Sequence, residues 1–294
     1  MTLALRPVTP DRLIVSVEGR RAVLLDVIRE ARTRITLSLF RCNDSHIFEA
    51  LTAATSRGVA VEVLVTSRAK GGHKKIGKLW RALEQTGATL KAYTDPVVKY
   101  HAKYLVADEG PAIVASLNLT KKCFKKTCDA VVVTHDPAVV SGLRRLWAAD
   151  CGGQPLPEDV SDRLIVGPER ARRQFTALVE RARTSIRLID AKLSDPDLVS
   201  LLNARRASGL TVEVFSGKRL GDLKSHGKIM LVDESLVVVG SLALAALSLD
   251  FRREVAIVVT EPAAVAEAAE LFRSLSAMEA NRRAAAGATD GVLC

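Results

Sequence analysis

Apolar residues recur along this chain with two periods, one typical of amphipathic helices and the other of buried strands. In the first half, the helical period predicts helices near 19–32, 45–57 and 137–149. Short apolar runs between them predict strands at 34–40, 59–65, 101–107, 112–117 and 130–134. Since strands that alternate with helices form sheets covered on both faces, the pattern predicts an α/β fold.

The same pattern occurs twice. EARTRITLSLF (30–40) matches RARTSIRLIDA (181–191) at an offset of 151 residues, and from residue 101 onward the offset becomes 125. The difference is a segment near 67–92 that only the first half has, predicted as a basic loop, a helix and a return strand. CGGQPLPEDV (151–160) is rich in Gly and Pro, as linkers are. We therefore expect two domains, 1–152 and 153–294, and interpret 281–294 as a frayed tail.

Polar residues interrupt apolar strands at equivalent places in the two halves. KYHAKYLVADEGPAIVASLNLT (99–120) and SHGKIMLVDESLVVVGSLA (225–243) share His, Lys, Asp and Ser at one spacing, and each is followed by an acid. These residues are His101, Lys103, Asp108, Ser116 and Asp129, and His226, Lys228, Asp233, Ser241 and Glu254. A single His-x-Lys is usually an exposed strand face. A cation on strands as apolar as YLVA and IMLV is costly to bury unless an anion meets it, so the duplicated set predicts an anion site.

Each motif is predicted to fold as a hairpin, because DEGP and DES are turn-like. Residues two apart on a strand share a face, so each His points the same way as its Lys. The predicted register sets Lys103 opposite Ser116 and His101 opposite Asn118; in the second half it sets Lys228 opposite Ser241 and His226 opposite Ala243. By parity, the two motif aspartates lie at strand ends and anchor the turns.

Charge and composition narrow the function. The formal net charge of +10 favours polyanionic partners, and no run of 18 apolar residues predicts a membrane span. Five scattered cysteines without a CxxC pair indicate a reducing compartment, so a cytoplasmic protein is expected. His46, His73 and His135 lack metal-ligand spacing, and no metal or other cofactor is expected. The charge runs 70–78 and 121–126 are solvated faces or a substrate rim.

The duplicated His-x-Lys-x(4)-Asp pattern, with Ser116 and Asn118 behind the first copy, resembles the phospholipase D superfamily. The resemblance implies two similar α/β lobes with mixed sheets flanked by helices, related by a pseudo-twofold axis, and one active site at their interface. It also implies phosphodiester cleavage or transfer through a covalent phosphohistidine, without a metal. The implied catalytic residues are His101, Lys103, Asp108, His226, Lys228 and Asp233. The implied substrate-binding residues are Ser116, Asn118, Ser241, Asp129 and Glu254.

The resemblance also implies roles. His101 is the expected nucleophile and His226 the general acid and base, while an acid fixes the tautomer of each histidine; Asp129 is expected to orient His101. Two lysines with hydroxyl and amide donors neutralise a phosphodiester without Mg²⁺. Ala243 stands where the family usually has Asn, and Ala115 where Gly is common. A degenerate, inactive copy therefore stays an alternative.

Three substrate classes stay open at this point. We favour a phospholipase D-like or cardiolipin-synthase-like enzyme acting on phospholipid, as a monomer in peripheral contact with the inner membrane surface. A metal-independent nuclease is the alternative: the positive charge favours it, but an aromatic content of 4% argues against base-stacking platforms. The third is a weakly active module that binds an anionic phosphodiester, either phospholipid or nucleic acid.

Overall fold

Two mixed β-sheets form the centre of the fold, which a computed structural model describes for residues 9–67 and 73–289. The helices of the described residues are α1 (Val17–Glu30), α2 (Ser45–Ser56), α3 (His73–Glu84), α4 (Lys121–Lys126), α5 (Pro137–Gly152), α6 (Ala171–Arg181), α7 (Pro196–Ala207), α8 (Ala246–Phe251) and α9 (Pro262–Thr289). The strands of the first half are β1 (Arg12–Ile14), β2 (Arg34–Leu39), β3 (Ala60–Thr66), β4 (Thr89–Tyr93), β5 (Lys99–Tyr100), β6 (Tyr104–Ala107), β7 (Ala112–Ala115), β8 (Thr127–Cys128) and β9 (Val131–Thr134). Those of the second half are β10 (Leu164–Gly167), β11 (Ser185–Ile189), β12 (Thr211–Phe215), β13 (Arg219–Leu220), β14 (Leu223–Ser225), β15 (Ile229–Val232), β16 (Leu236–Gly240) and β17 (Arg252–Val259).

The two sheets repeat one plan. In the first, the strand order is β1-β9-β7-β6-β2-β3-β4, and in the second it is β10-β17-β16-β15-β11-β12. Pairs β2–β3 and β11–β12 are parallel, and the motif hairpins β6–β7 and β15–β16 are antiparallel. The α/β fold with two mixed sheets flanked by helices is therefore confirmed. The insert carries α3 and β4 as predicted, while residues 68–72 of its basic loop lie outside the described part.

Local sequence explains where the main helices begin and end. The Ser16 hydroxyl accepts a hydrogen bond from the Gly19 N–H at 3.2 Å and caps the start of α1. Asp136 caps α5 in the same way, and Gly153 ends that helix with φ 62°, a left-handed conformation that glycine adopts without strain. At the other end of the chain, the predicted frayed tail is partly wrong, because α9 continues to Thr289.

One apolar core joins the two halves. Helices α1 and α2 pack on the outer side of the first sheet, and α6 and α7 on the outer side of the second. The inner sides share the largest buried cluster, to which Leu146 of α5 and Phe272 of α9 belong. Because this core includes residues from both sheets, each half buries apolar surface against the other. The predicted boundary at residue 152 coincides with the end of α5 and stays a prediction.

Two short strands pair across the halves, each just before a motif histidine. Strand β5 pairs in parallel with the start of β17, with Lys99 beside Arg252 and Tyr100 beside Arg253. Strand β14 pairs in parallel with β8, with Ser225 beside Cys128. Each pairing therefore places a motif histidine beside the acid of the opposite half. Glu254 lies within β17, and Asp129 directly follows β8.

The predicted hairpin register is wrong by one residue. Tyr104 pairs with Val114, which sets Lys103 opposite Ala115; the second hairpin pairs Ile229 with Val239, which sets Lys228 opposite Gly240. The cause is the turn: each hairpin closes through three residues, in which Asp108 has φ 44° and Asp233 φ 53°. Since a shift of one residue moves side chains to the opposite face of a sheet, neither Ser116 nor Ser241 faces the lysine of its own hairpin.

Candidate active site

Each motif histidine contacts the carboxylate of the other half of the chain. His226 Nδ1 lies 3.0 Å from Asp129 Oδ1 and 3.1 Å from Oδ2. His101 Nδ1 contacts Glu254 Oε1 in the same way, and its backbone N–H donates to the Arg253 carbonyl at 2.9 Å. The expectation that Asp129 orients His101 is therefore wrong, because the parallel pairing of β5 with β17 places His101 beside Glu254.

The approach of the second motif to the first half requires a glycine. The Gly227 N–H donates to the Cys128 carbonyl at 2.7 Å. A Cβ atom at Gly227 would lie 2.6 Å from that carbonyl oxygen, closer than real Cβ contacts. The residue between His226 and Lys228 is therefore a glycine for a geometric reason: it lets the second histidine reach Asp129.

Asp129 is a fully buried carboxylate that stays ionised. Ser116 Oγ donates to it at 2.7 Å and Thr127 Oγ1 at 2.5 Å. Burial would raise the pKa of Asp129, but His226 and the two hydroxyl donors lower it below its ordinary value. An anion at this position stabilises the protonated form of the imidazole that it contacts, which suits His226 to the delivery of a proton.

A buried arginine, which the sequence analysis missed, supports Asp129 from behind. Arg20 has no exposed surface, and its Nη1 donates to the Thr127 carbonyl at 2.8 Å and to the Asp129 carbonyl at 3.2 Å. Its counterpart at the offset of 151 is Ala171, so only the first half has this cation. Arg20 therefore adds positive charge on the Asp129 side of the site alone.

Glu254 has fewer hydroxyl donors than Asp129, and the Arg252 guanidinium lies 3.9 Å from it. It is fully buried and accepts a hydrogen bond from Ser248 Oγ. Burial raises the pKa of Glu254 above its ordinary value. Burial, then the charges of Lys103 and Arg252, hold the pKa of His101 well below 6.5, so its imidazole is neutral. A neutral imidazole with Nδ1–H against a carboxyl group has its lone pair on Nε2, which lies 3.4 Å from Lys103 Nζ.

The motif lysines and further cations converge on the same place. Lys103 is 4% exposed. Its Nζ donates to the His101 backbone carbonyl at 2.7 Å and lies 3.0 Å from His101 Nδ1. Burial lowers the pKa of Lys103 to about 7, the charge of Glu254 opposes this, and Lys228 lowers it further. Because Lys228 lies close enough to affect both Lys103 and His101, the two motifs share one site.

Lys192 is a fourth cation that the motif search missed. Burial, then the charges of Lys228 and Arg252, lower the pKa of Lys192, which places it at the same site. The internal repeat could have identified this residue. Lys192 follows the end of β11, and its counterpart at the offset of 151, Arg41, follows the end of β2. Lys103 and Lys228 are buried, whereas Lys192 is exposed. The two buried cations destabilise one another unless an anion joins them, and the site is therefore suited to an anionic group.

The remaining predicted substrate-binding residues are placed differently from one another. Asn118 is buried at the site, and its Oδ1 has no hydrogen-bond partner among the described residues. Ser116 holds Asp129, as given above. Ser241 Oγ instead accepts from the Val255 N–H at 3.2 Å, and the Ala243 N–H donates to Ser248 Oγ at 3.0 Å. Asn118 is thus the member of this set that keeps an unpaired polar atom, its acceptor oxygen, at the site.

The motif aspartates lie at the turns, away from the histidines. Asp108 accepts hydrogen bonds from the N–H groups of Arg32, Thr33 and Arg34 at 2.8–2.9 Å, and Asp233 accepts from the equivalent stretch at 183–185. Burial would raise the pKa of Asp108, but these donors lower it to about 2. The placement of Asp108 and Asp233 in the catalytic set is therefore corrected: they anchor the start of β2 and β11, as the parity of the hairpins predicted.

A cavity of about 760 Å³ opens beside the histidines. Phe40 lines it and packs its ring on His101 with centroids 4.4 Å apart, and Asn118 and His226 line it too. Its other walls combine apolar and cationic side chains from α2, α3 and α4, namely Phe48, Ile76, Leu79, Lys75, Lys78 and Lys122. The insert that only the first half has therefore supplies one wall of the active-site cavity.

Comparison with known proteins agrees with this geometry. A family model described as "Cardiolipin synthase, PLD-like domain" matches residues 24–150 and 211–276, which include both motifs. The chain belongs to the phospholipase D superfamily. It is thus an enzyme-family member whose relatives carry out phosphodiester hydrolysis or transfer.

Individual relatives span different parts of the chain. A phospholipase D of Rickettsia bellii is 29% identical over 44% of this chain and 62% of its own length. A cardiolipin synthase A of Pseudomonas aeruginosa is 28% identical over 43% of this chain and 26% of its own length. A polyphosphate kinase of Mycolicibacterium paratuberculosis is 28% identical over 82% of this chain and 37% of its own length. The chain spans less than two thirds of each of these relatives.

Two solved structures have a similar fold over most of this chain. A polyphosphate kinase from Porphyromonas gingivalis superposes with a TM-score of 0.71 at 21% identity, over 90% of this chain and 50% of that one. A phosphatidylserine synthase from Haemophilus influenzae superposes with a TM-score of 0.67 at 10% identity, over 93% of this chain and 86% of that one. At these identities the likeness shows the fold alone. Within the described residues, none of the helices is both long and apolar enough to cross a membrane.

Proposed function

We propose that this protein cleaves or transfers the phosphodiester of a phospholipid through a phosphohistidine on His101, without a metal. The observation that carries the proposal is the unequal pairing of the two histidines. His101 is partly buried and neutral beside Glu254, whereas His226 contacts the ionised carboxylate of Asp129. One imidazole is suited to attack and the other to carry a proton, which is the division of labour that a two-step displacement needs.

The proposed reaction has two steps. His101 Nε2 attacks phosphorus, the bond from phosphorus to the leaving oxygen breaks, and His226 gives that oxygen a proton. Water or an alcohol then loses its proton to His226 and attacks phosphorus, and the bond to His101 breaks. Lys103, Lys228 and the Asn118 amide hold the charge of the non-bridging oxygens, which grows in each transition state.

The cavity favours a phospholipid over a nucleic acid. A phospholipid needs a cationic site for its phosphate next to an apolar surface for its glycerol and acyl carbons. Phe40 lies against His101 and continues into a wall of Phe48, Ile76 and Leu79, with Lys75 and Lys78 on the same helix. This combination suits an amphiphilic diester. We further propose that the protein meets its substrate at an anionic membrane surface, toward which its net charge of +10 would draw it.

Two other substrates have a specific observation in their favour. The net charge also suits nucleic acid. The polyphosphate kinase relative spans 82% of the chain, about twice the share of the lipid enzymes, which favours an inorganic polyphosphate. Neither polyanion needs the apolar wall of α3, and we therefore place both behind phospholipid.

A side-by-side assay in EDTA tests the proposal. Vesicles of phosphatidylcholine and of phosphatidylglycerol, single- and double-stranded DNA, and polyphosphate are each offered to the wild-type protein and to His101→Ala and His226→Ala. We expect headgroup release or exchange from lipid that both variants lose. Cleavage of DNA or polyphosphate with lipid untouched would contradict the substrate class. Lipid turnover that both variants retain would contradict the site itself.

A further inference from the structure

A cysteine thiol lies beside the acid–base pair of the site, and the proposed reaction does not use it. Cys123, in α4, is 5% exposed. One ligand atom each of Cys123, Asp129 and His226 lie within 4.8 Å of one another. Cys123 and His226 line the active-site cavity, and Asp129 lies directly behind His226, with its Oδ1 3.0 Å from His226 Nδ1.

The internal repeat shows that this thiol replaces a hydroxyl. Cys123 corresponds to Ser248 at the offset of 125, and both lie in the short helix before the acid, α4 or α8. In the second half, Ser248 Oγ donates to Glu254. In the first half, Ser116 and Thr127 are the donors to Asp129, so the carboxylate does not need the sulfur as a donor. The first half thus offers a sulfur ligand where the second half has a hydroxyl.

We propose that Cys123, Asp129 and His226 form an inhibitory binding site for Zn²⁺ or a similar thiophilic divalent cation. Zinc binds thiolate, imidazole and carboxylate at about 2.0–2.3 Å in a tetrahedral arrangement, which separates ligand atoms by roughly 3.3–3.7 Å. His226 Nδ1 and Asp129 Oδ1 are 3.0 Å apart, so small side-chain shifts complete three corners. Water takes the fourth, and the thiol proton leaves to solvent as the ion binds.

The expected consequence is inhibition. A bound ion takes the ring nitrogen of His226 that faces Asp129 and neutralises the carboxylate, which removes both from proton transfer. The second half has Ser248 in place of the thiol, and a hydroxyl is a poor zinc ligand. The His101 side therefore binds the ion weakly, and one inhibitory ion per chain is expected.

Metal binding by the whole protein, measured without turnover, tests the site. Co²⁺ replaces Zn²⁺ as a visible probe, since a cobalt–thiolate bond gives a charge-transfer absorption that oxygen and nitrogen ligands do not give. Competition with a chromophoric chelator gives the Zn²⁺ affinity. We expect one ion per chain with the thiolate band, and Cys123→Ser to remove the band and to weaken Zn²⁺ binding by about 100-fold or more, beyond the usual effect of an outer-shell change.

Two variants are the controls: one replaces another buried cysteine, and the other builds a second metal site. Cys42 is also buried and lines the same cavity, but it is outside the cluster, so Cys42→Ser keeps both the band and the affinity. Ser248→Cys builds the equivalent set with Glu254 and His101 and raises the stoichiometry to two. Should Cys123→Ser unfold, Cys123→Ala is measured instead. Unchanged Zn²⁺ affinity in the Cys123 variant, or a Co²⁺ complex without the thiolate band, would overturn the proposal.

Discussion

His226 Nδ1 lies 3.0 Å from Asp129 Oδ1, although 97 residues separate them and they belong to different halves of the chain. Glu254, in the second half, likewise contacts His101 of the first half. Since each motif histidine contacts a carboxylate of the opposite half, each half completes the other's catalytic group. The exchange also gives the two histidines unlike environments, because Asp129 has two hydroxyl donors and a buried arginine behind it, and Glu254 has one hydroxyl.

Replacing Asp129 or Glu254 by its amide should slow the reaction in two different ways. Asp129→Asn removes the charge that stabilises protonated His226, so it should slow substrates with a poor leaving group by roughly 10²–10³-fold and spare those whose leaving group needs no proton. Glu254→Gln disturbs His101 and should slow both kinds of substrate alike. Single-turnover rates with an alkyl and a nitrophenyl phosphodiester make the comparison. Equal losses with Asp129→Asn on the two substrates would contradict the roles.

Much of this arrangement follows from sequence pattern, and the part that does not has a physical reason. The helices and strands of each half follow from local periodicity, and the meeting of the His-Lys pairs from the duplicated motif. The exchange of Asp129 and Glu254 depends on parallel pairing between residues 97 and 153 positions apart along the chain, about which local pattern says nothing. The hairpin register was predicted wrongly because Asp108 adopts a left-handed conformation that residues other than glycine seldom take.

Other site residues were missed for a related reason. Arg20 is an arginine on an amphipathic helix, and such residues are usually at the surface, but here the guanidinium is buried behind Asp129. Lys192 and Ser248 were detectable in principle, because each has a polar counterpart in the other half, Arg41 and Cys123. Comparison of the repeat copies position by position, beyond the motif itself, would have shown them.

Asp108 should contribute to stability and not to catalysis. Its pKa of about 2 in the folded protein is below its ordinary value, so its contribution is present above about pH 4 and is lost as the pH falls toward 2. Asp108→Asn should lower the free energy of unfolding by about 1–2 kcal/mol at neutral pH, a discounted figure because Asp108 is partly exposed to solvent. Its kcat well below the melting temperature should be unchanged.

Glu109→Gln is the matched control, because the Glu109 carboxylate is 94% exposed and pairs with Arg144 at the surface. It should change stability little. Urea unfolding of both variants at pH 7 and pH 3 measures the difference. A large loss of kcat in folded Asp108→Asn would return that residue to the catalytic set.

Anion binding should weaken as the pH rises through neutrality. Burial lowers the pKa of Lys103 to about 7, so above that pH the free enzyme loses a positive charge at the phosphate site. We expect KM to rise on the alkaline side, and the affinity for an unreactive phosphodiester analogue, whose own charge is constant there, to fall in parallel. Lys103→Met should bind the analogue weakly at every pH, without this dependence. An affinity that is flat with pH in the wild type would contradict the assignment.

The apolar wall of α3 should matter for lipid and not for small diesters. Ile76 lines the cavity and is partly exposed, so Ile76→Asn should raise the apparent KM for lipid vesicles several-fold, since about 1–2 kcal/mol of apolar contact is lost. Turnover of a water-soluble phosphodiester should be unaffected. Leu178→Asn, on a helix of the opposite half and outside this cavity, is the control and should leave both KM values unchanged. Equal effects of Ile76→Asn on both substrates would argue against a lipid-binding wall.

The most direct test of the account is the identity of the residue that carries the covalent phosphate. His101 is neutral, partly buried and oriented by Glu254, while His226 contacts an ionised carboxylate. Rapid quenching of His226→Ala, with a substrate whose leaving group needs no protonation, should trap phosphate, because the first step proceeds and the base for the second is missing. Peptide mapping of the quenched protein should place the adduct on His101. An adduct on His226 in the wild-type protein, with His101 unmodified, would contradict the account and reverse the two roles.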